Sequence, residues 1–84
     1  MARLDGKVAI ITGAGAGIAR AASLLFAGEG ASIGVVEINP ETGADTASVI
    51  QSDGGKAVAI EADVTQPDDV ERAVQETVAA FGKL

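Results

Sequence analysis

The 84 residues contain no cysteine, histidine, tyrosine or tryptophan, and six cations stand against twelve carboxylates. Without cysteine there is no disulfide framework, no thiolate nucleophile and no Cys-ligated zinc. Without histidine the usual proton shuttle near neutral pH is missing, together with the commonest metal ligand. The absence of tyrosine removes one more acid/base group. The formal charge of −6 disfavours a polyanionic partner. The cations Arg3, Lys7, Arg20, Lys56, Arg72 and Lys83 are scattered and form no basic stripe, so no nucleic-acid partner is expected. No apolar run approaches the ~20 residues of a bilayer span, and none of signal-peptide length precedes Gly13. The expectation is a cytoplasmic protein with no membrane partner.

What is present is a folded composition, 48% hydrophobic and 21% charged. A chain of this size buries only about 60–65% of the surface it exposes when unfolded, so it holds one small domain at most. No repeat, low-complexity tract or linker divides it.

Two kinds of segment alternate. Lys7 to Thr12 is an apolar run entered from Asp5-Gly6, the pattern of a strand buried on both faces. Ala31 to Glu37 and Lys56 to Ala62 read as two further strands, the former weakened by Gly34 in its interior. Between the first two, Ile18, Ala22 and Leu25 share a helical face with Ala21 and Leu24 beside them, and Gly30 supplies a stop. Asn39-Pro40-Glu41 begins a second helix, with Asn as the cap, Pro where no donor is needed and Glu at the positive end of the dipole. Its expected buried face is Ala44, Ala47 and Ile50, and it stops at Gly54-Gly55. Pro67-Asp68-Asp69 opens a third helix, with a face of Val70, Val74, Val78 and Phe81 and a stop at Gly82. The order β-α-β-α-β-α with right-handed crossovers predicts a parallel sheet in the order 3-2-1.

The chemistry concentrates in Thr12-Gly13-Ala14-Gly15-Ala16-Gly17-Ile18-Ala19, directly after a strand and opening a helix. Free N–H groups at a helix start attract a phosphate, and glycine lets the phosphate approach the backbone. G-x-G-x-x-G does not fit, because its last glycine falls on Ile18 or Arg20 according to the start. A Walker A loop would put its glycine-lysine pair on Ile18-Ala19. T-G-x-x-x-G-x-[G/A] does fit, through Gly13, Gly17 and Ala19. The competing reading is a glycine turn that binds nothing.

Glu37 ends the second strand, 18 residues beyond Ala19, near the position from which a carboxylate accepts hydrogen bonds from the adenosine ribose. A 2′-phosphate would meet like charge there, and Ala14, Ala16 and Ile38 offer no cation, so NAD is favoured over NADP. Asp63 follows the third strand at the same carboxyl edge of the sheet. Its carboxylate could accept from an adenine amino group while the Val64 N–H meets a ring nitrogen; alternatively it is a turn aspartate. Asp68 and Asp69 read as first-turn dipole partners, and no metal site is expected.

Taken in order, Arg3-Leu4-Asp5-Gly6-Lys7-Val8, Thr12-Gly13 through Gly17-Ile18, Glu37 and Asp63-Val64 resemble the N-terminal part of the short-chain dehydrogenase/reductase family. The resemblance spans essentially the whole chain. It implies a Rossmann-like three-layer α/β fold, of which residues 1–84 are the β-α-β-α-β-α half of a doubly wound sheet, truncated. It also implies an NAD(P)-dependent oxidoreductase acting on a hydroxyl or carbonyl group, which with the preference read from Glu37 becomes hydride transfer between NAD and an alcohol or carbonyl. By position, Gly13, Gly15, Ala16, Gly17 and Ile18 would surround the pyrophosphate, Glu37 with Ile38 the ribose, and Asp63 with Val64 the adenine. The family's last fingerprint glycine is Ala19 here, for which a small helix shift is expected. Its Asn-Asn-Ala-Gly segment, catalytic Ser and Tyr-x-x-x-Lys motif have no counterpart, so no catalytic residue is assigned and the chain alone is expected to be inactive. The first strand would be left with an exposed edge, open to a complementing chain or to self-association. A non-catalytic nucleotide-binding module and an interaction protein with a vestigial loop are the alternatives.

Overall fold

The computed structural model describes residues 3–83. Three strands, β1 (Val8–Thr12), β2 (Ser32–Glu37) and β3 (Lys56–Glu61), alternate with α1 (Gly17–Gly28), α2 (Pro40–Ser52) and α3 (Pro67–Phe81). All pairing is parallel in the order β1-β2-β3, with Val8 opposite Ser32 and Ser32 opposite Lys56. This is the expected 3-2-1 sheet, and each boundary lies within two residues of the sequence reading.

Alternation along the central strand separates two cores. Ile33 and Val35 face α1 and α2, packing with Ala14, Ala31, Ala47 and Ile50, and with Leu24 and Ala27 at the margin. Val36 faces α3 on the opposite side, with Ile60, Ala62 and Ala73. The crossing of the third helix to the other face produces three layers, the Rossmann-like arrangement.

Helix ends follow local chemistry. Asn39 Oδ1 accepts from the N–H groups of Glu41 and Thr42 at 3.0 and 3.4 Å, and Pro40 is the first helical residue. Gly82 closes α3 in the left-handed conformation, φ 82°, its N–H donating to the Val78 carbonyl at 2.7 Å.

The helix faces differ from the sequence reading. Ile18 and Leu25 on α1 are 89% and 63% exposed, whereas Ser23 is fully buried and Leu24 and Ala27 pack on the core. On α2 the buried positions are Gly43, Thr46, Ala47 and Ile50, and Ala44 is exposed. On α3 the sheet contacts Ala73 and Thr77, while Val70, Val74 and Val78 remain 36–41% exposed. The cause is shared. The Ser23 hydroxyl donates to the Ala19 carbonyl and the Thr77 hydroxyl to the Ala73 carbonyl, each at 2.8 Å. A hydroxyl satisfied four residues back along its own helix can be buried without an unpaired donor. Small inward residues let the helices lie close to the sheet, and larger apolar ones fall to the flanks.

Gly34, read from sequence as a weak point of β2, has a packing role. A Cβ there would stand 2.6 Å from Thr77 Oγ1 and 3.3 Å from its Cγ2. The gap it leaves is filled by α3.

Candidate nucleotide site at the carboxyl edge of the sheet

The loop between β1 and α1 starts while still attached to the sheet. The Ala14 N–H donates to the Val36 carbonyl at 3.3 Å, so Ala14 is buried beneath the loop. Gly13 (φ 66°) and Gly17 (φ 60°) are left-handed, and a Cβ on either would meet nothing within 4 Å. Glycine is therefore required at these two by backbone conformation. At Gly15 the reason is space: a Cβ would lie 2.7 Å from Glu37 Oε2 and 2.8 Å from Thr42 Cβ, and would also collide with Thr42 Oγ1.

The start of α1 lacks both a side-chain cap, with Ala16 at the N-cap, and an acidic residue in its first turn. By contrast α2 has Asn39 and Glu41, and α3 has Asp68 and Asp69 in its first turn. The first-turn N–H groups of α1 keep their donor capacity and the positive end of its dipole is not neutralised. Ala16, Gly17 and Ile18 are all exposed there. Ala19 sits in the first turn without interrupting the helix.

Glu37 closes the other side of the loop. Its Oε2 accepts from the Gly15 N–H at 2.9 Å, and Oε1 accepts from Ile38 N at 2.9 Å and Asn39 N at 3.4 Å. A carboxylate has about four lone-pair directions, so three backbone donors leave one acceptor position for a ligand hydroxyl.

Gly13, Glu37, Ile38, Asp63 and Val64 line one cleft of about 140 Å³, floored by Val36 and Ala62. Five of the residues singled out in the sequence thus meet at one place. Gly15 joins them through Glu37, while Ala16, Gly17 and Ile18 stand apart at the helix start. Asp63 also has the turn role: its Oδ1 accepts from Thr65 N at 2.9 Å and Thr65 Oγ1 at 2.7 Å. The Thr65 hydroxyl, and after it the Thr65 N–H, hold the Asp63 carboxyl below its ordinary range. The Asp63 N–H donates to Asp69 Oδ2 at 2.9 Å, which ties the wall of the cleft to α3.

A neighbouring hollow of about 360 Å³ is lined by Ile38, Glu61, Ala62, Asp63, Asp69 and Arg72. Its one cation is committed: Arg72 donates to Glu76 Oε2 and to the Glu61 carbonyl, each at 2.6 Å, and lies 3.7 Å from Asp69 Oδ1. A hollow of about 50 Å³ between Leu24, Ala27, Ile50 and Gly55 belongs to the amino edge of the sheet, away from the loop. Among the described residues no group of three or more carboxylates is placed to hold a metal ion, and no helix is long and apolar enough to cross a membrane.

Sequence reasoning missed Arg20, Thr42 and Thr46. Thr42 packs on Gly15, and the buried Thr46 hydroxyl donates to the Ala14 carbonyl at 2.9 Å. The only signal was two threonines four apart on α2, which a hydrophobic pattern does not score.

The fold and the edge at which the loop lies define an open parallel α/β unit of the Rossmann type. The family model for short chain dehydrogenase matches residues 7–84, and the chain belongs to that family. It is 43% identical over its full length to 2,5-dichloro-2,5-cyclohexadiene-1,4-diol dehydrogenase of Sphingobium indicum, covering 32% of that protein. Over 98% of its length it is 42% identical to cyclohexanol dehydrogenase of an Acinetobacter species, covering 33% of it. A solved structure of 7 alpha-hydroxysteroid dehydrogenase complexed with NADH and 7-oxo glycochenodeoxycholic acid superimposes with a TM-score of 0.95 at 40% identity. That match covers 98% of this chain and 32% of the other. The chain spans about a third of the length of the curated relatives it matches. Their family is one of oxidoreductases.

Proposed function

We propose that residues 1–84 bind the adenosine and pyrophosphate of NAD as part of an oxidoreductase that transfers hydride between NAD and an alcohol or carbonyl substrate. The observation that carries the reading is Glu37. Its carboxylate accepts from the glycine loop, and the residue lines the same cleft as Asp63 and Val64. In this reading one ribose hydroxyl donates to the remaining acceptor position of Glu37, beside Ile38, a bond contributing about 1.5–3 kcal/mol. The adenine meets Asp63 and Val64, and the pyrophosphate lies against Gly13, Gly15, Ala16, Gly17 and Ile18. When bound, NAD supplies the hydride acceptor.

Preference for NAD over NADP belongs to the same proposal. A 2′-phosphate at Glu37 meets a carboxylate, and Arg72 in the adjoining hollow is already paired with carboxylates and a carbonyl. We further propose that these 84 residues do not turn over substrate by themselves, since they contain no tyrosine, and that they act as the incomplete N-terminal part of a larger cytoplasmic domain. Three of the relatives are named as dehydrogenases, which supports the reaction type.

The test is calorimetric titration of the chain with NAD⁺ and NADP⁺, repeated with Glu37→Ser and Ile38→Arg together. NAD⁺ binds the parent more tightly, and the double variant loses or reverses that preference. An unchanged preference sinks the ribose assignment. No binding of either cofactor at millimolar concentration supports the vestigial loop instead.

A second reading rests on β1, which among the described strands pairs only with β2. Its free edge suits a complementing chain or a second copy.

A further inference from the structure

The Ala14–Gly15 peptide is held from both sides. Its carbonyl accepts from the Thr46 hydroxyl at 2.9 Å, and its N–H donates to Glu37 Oε2, also at 2.9 Å. A trans peptide points its C=O and N–H in opposite directions, so one orientation of the plane satisfies both contacts. Thr46 and Ala14 are fully buried.

The direction of the hydrogen bond at Thr46 is itself determined. A threonine hydroxyl has one proton and two lone pairs, and a guanidinium only donates. Arg20 NH1 lies 2.7 Å from Thr46 Oγ1, so the hydroxyl accepts there and its single proton goes to the Ala14 carbonyl. Arg20 is in turn held by Asp45 Oδ2 at 3.0 Å. Asp45 is mostly exposed, so this ion pair contributes orientation and little energy.

We propose that Thr46, oriented by Arg20, is a positioning residue for the nucleotide loop. It prevents the Ala14–Gly15 peptide from turning over, and so keeps the Gly15 N–H on the Glu37 carboxylate and that carboxylate in place. A turned peptide would set the Ala14 carbonyl oxygen against the Glu37 carboxylate, two acceptors with no proton between them. It would also forfeit a charge-assisted bond. Thr46 is 32 residues from Ala14 in sequence and outside the glycine fingerprint. The inference rests on the NAD reading of this site.

The experiment follows the Gly15 amide by ¹H–¹⁵N NMR of the 84-residue chain, with NAD⁺ affinity measured on the same samples. The variants are Thr46→Val, which keeps shape and loses the hydroxyl, Thr46→Ser, which keeps the hydroxyl, and Arg20→Met. In Thr46→Val the Gly15 amide proton moves upfield and exchanges faster, and NAD⁺ binding weakens about two- to ten-fold, the effect of one hydrogen bond. Thr46→Ser restores both values, and Arg20→Met moves both in the same direction by less. A folded Thr46→Val with an unmoved Gly15 amide overturns the proposal, as does a moved amide with unchanged affinity. Should Thr46→Val fail to fold, Arg20→Met decides: an unmoved Gly15 amide overturns the proposal. Absence of NAD⁺ binding in the parent is a separate outcome. It overturns the function proposed above, while the Gly15 amide still shows whether Thr46 orients the loop.

Discussion

Thr77 Oγ1 occupies the space a side chain on Gly34 would need, 2.6 Å from where its Cβ would stand. The contact joins the middle of β2 to the middle of α3, and Ile10 Cγ1, at 3.4 Å from the same point, closes the third side. Gly34→Ala therefore forces α3 off the sheet, or Thr77 out of its rotamer. We expect a loss of about 1–3 kcal/mol in urea unfolding, the usual cost of overpacking a filled interior. Adding Thr77→Ser, which removes only the Thr77 methyl, leaves most of that loss, because the hydroxyl is the nearer atom. Complete recovery in the double variant would show that the methyl is the obstacle.

Gly15 has a similar constraint with a different consequence. Its missing Cβ makes room for Glu37 Oε2 and Thr42. Gly15→Ala displaces the carboxylate proposed to hold the ribose. NAD⁺ affinity should fall by at least about ten-fold, the equivalent of one charge-assisted hydrogen bond, and the urea midpoint should fall as well, because the added Cβ also meets Thr42 on α2. A variant that binds NAD⁺ as the parent does argues against Glu37 as the ribose acceptor.

The turn at Asp63 makes a pH prediction. Hydrogen bonds from Thr65 lower the carboxyl of Asp63 in the folded chain. The stability from this turn is complete above the ordinary aspartate value of about 4 and is lost as pH falls below it, through the lowered folded value. In Thr65→Ala both the hydroxyl bond and its contribution disappear. The Asp63 carboxyl carbon, followed by NMR, then titrates closer to the ordinary value. An unchanged titration curve in the variant would show that the backbone N–H of residue 65 suffices.

The free edge of β1 bears on the stability of the chain. Val8 to Thr12 pair on one side only among the described strands, and Val70, Val74 and Val78 on α3 stay 36–41% exposed. Unpaired strand edges and incomplete apolar cover favour association. The 84-residue chain should melt below about 65 °C, the upper end for ordinary mesophile domains, with a midpoint that depends on concentration. A cooperative, concentration-independent melt of a monomer above that temperature would contradict it.

Much of this architecture was legible because local chemistry and periodicity agreed. The runs ending at Thr12, Glu37 and Glu61 are largely apolar and each follows a glycine turn, at Gly6, Gly30 and Gly54, and Asn39-Pro40 and Gly82 mark helix ends by mechanisms that act within a few residues. The meeting of Gly13, Glu37 and Asp63 followed from parallel topology, which places the carboxyl ends of all three strands along one edge.

The helix faces were not legible. A count of apolar residues scores Ser23, Thr46 and Thr77 as outward, yet all three are fully buried. Their hydroxyls find carbonyl partners at Ala19, Ala14 and Ala73, a property of the folded backbone that residue type does not carry. The sequence by itself determined the order of elements, the glycine loop and the carboxylate that faces it, because these depend on backbone freedom and short-range patterns. Only the tertiary structure decided which side of each helix meets the sheet, why β2 tolerates Gly34, and which threonine on α2 holds the loop. Those outcomes depend on close approach between segments far apart in the chain, where one oxygen atom occupies the place of another residue's Cβ.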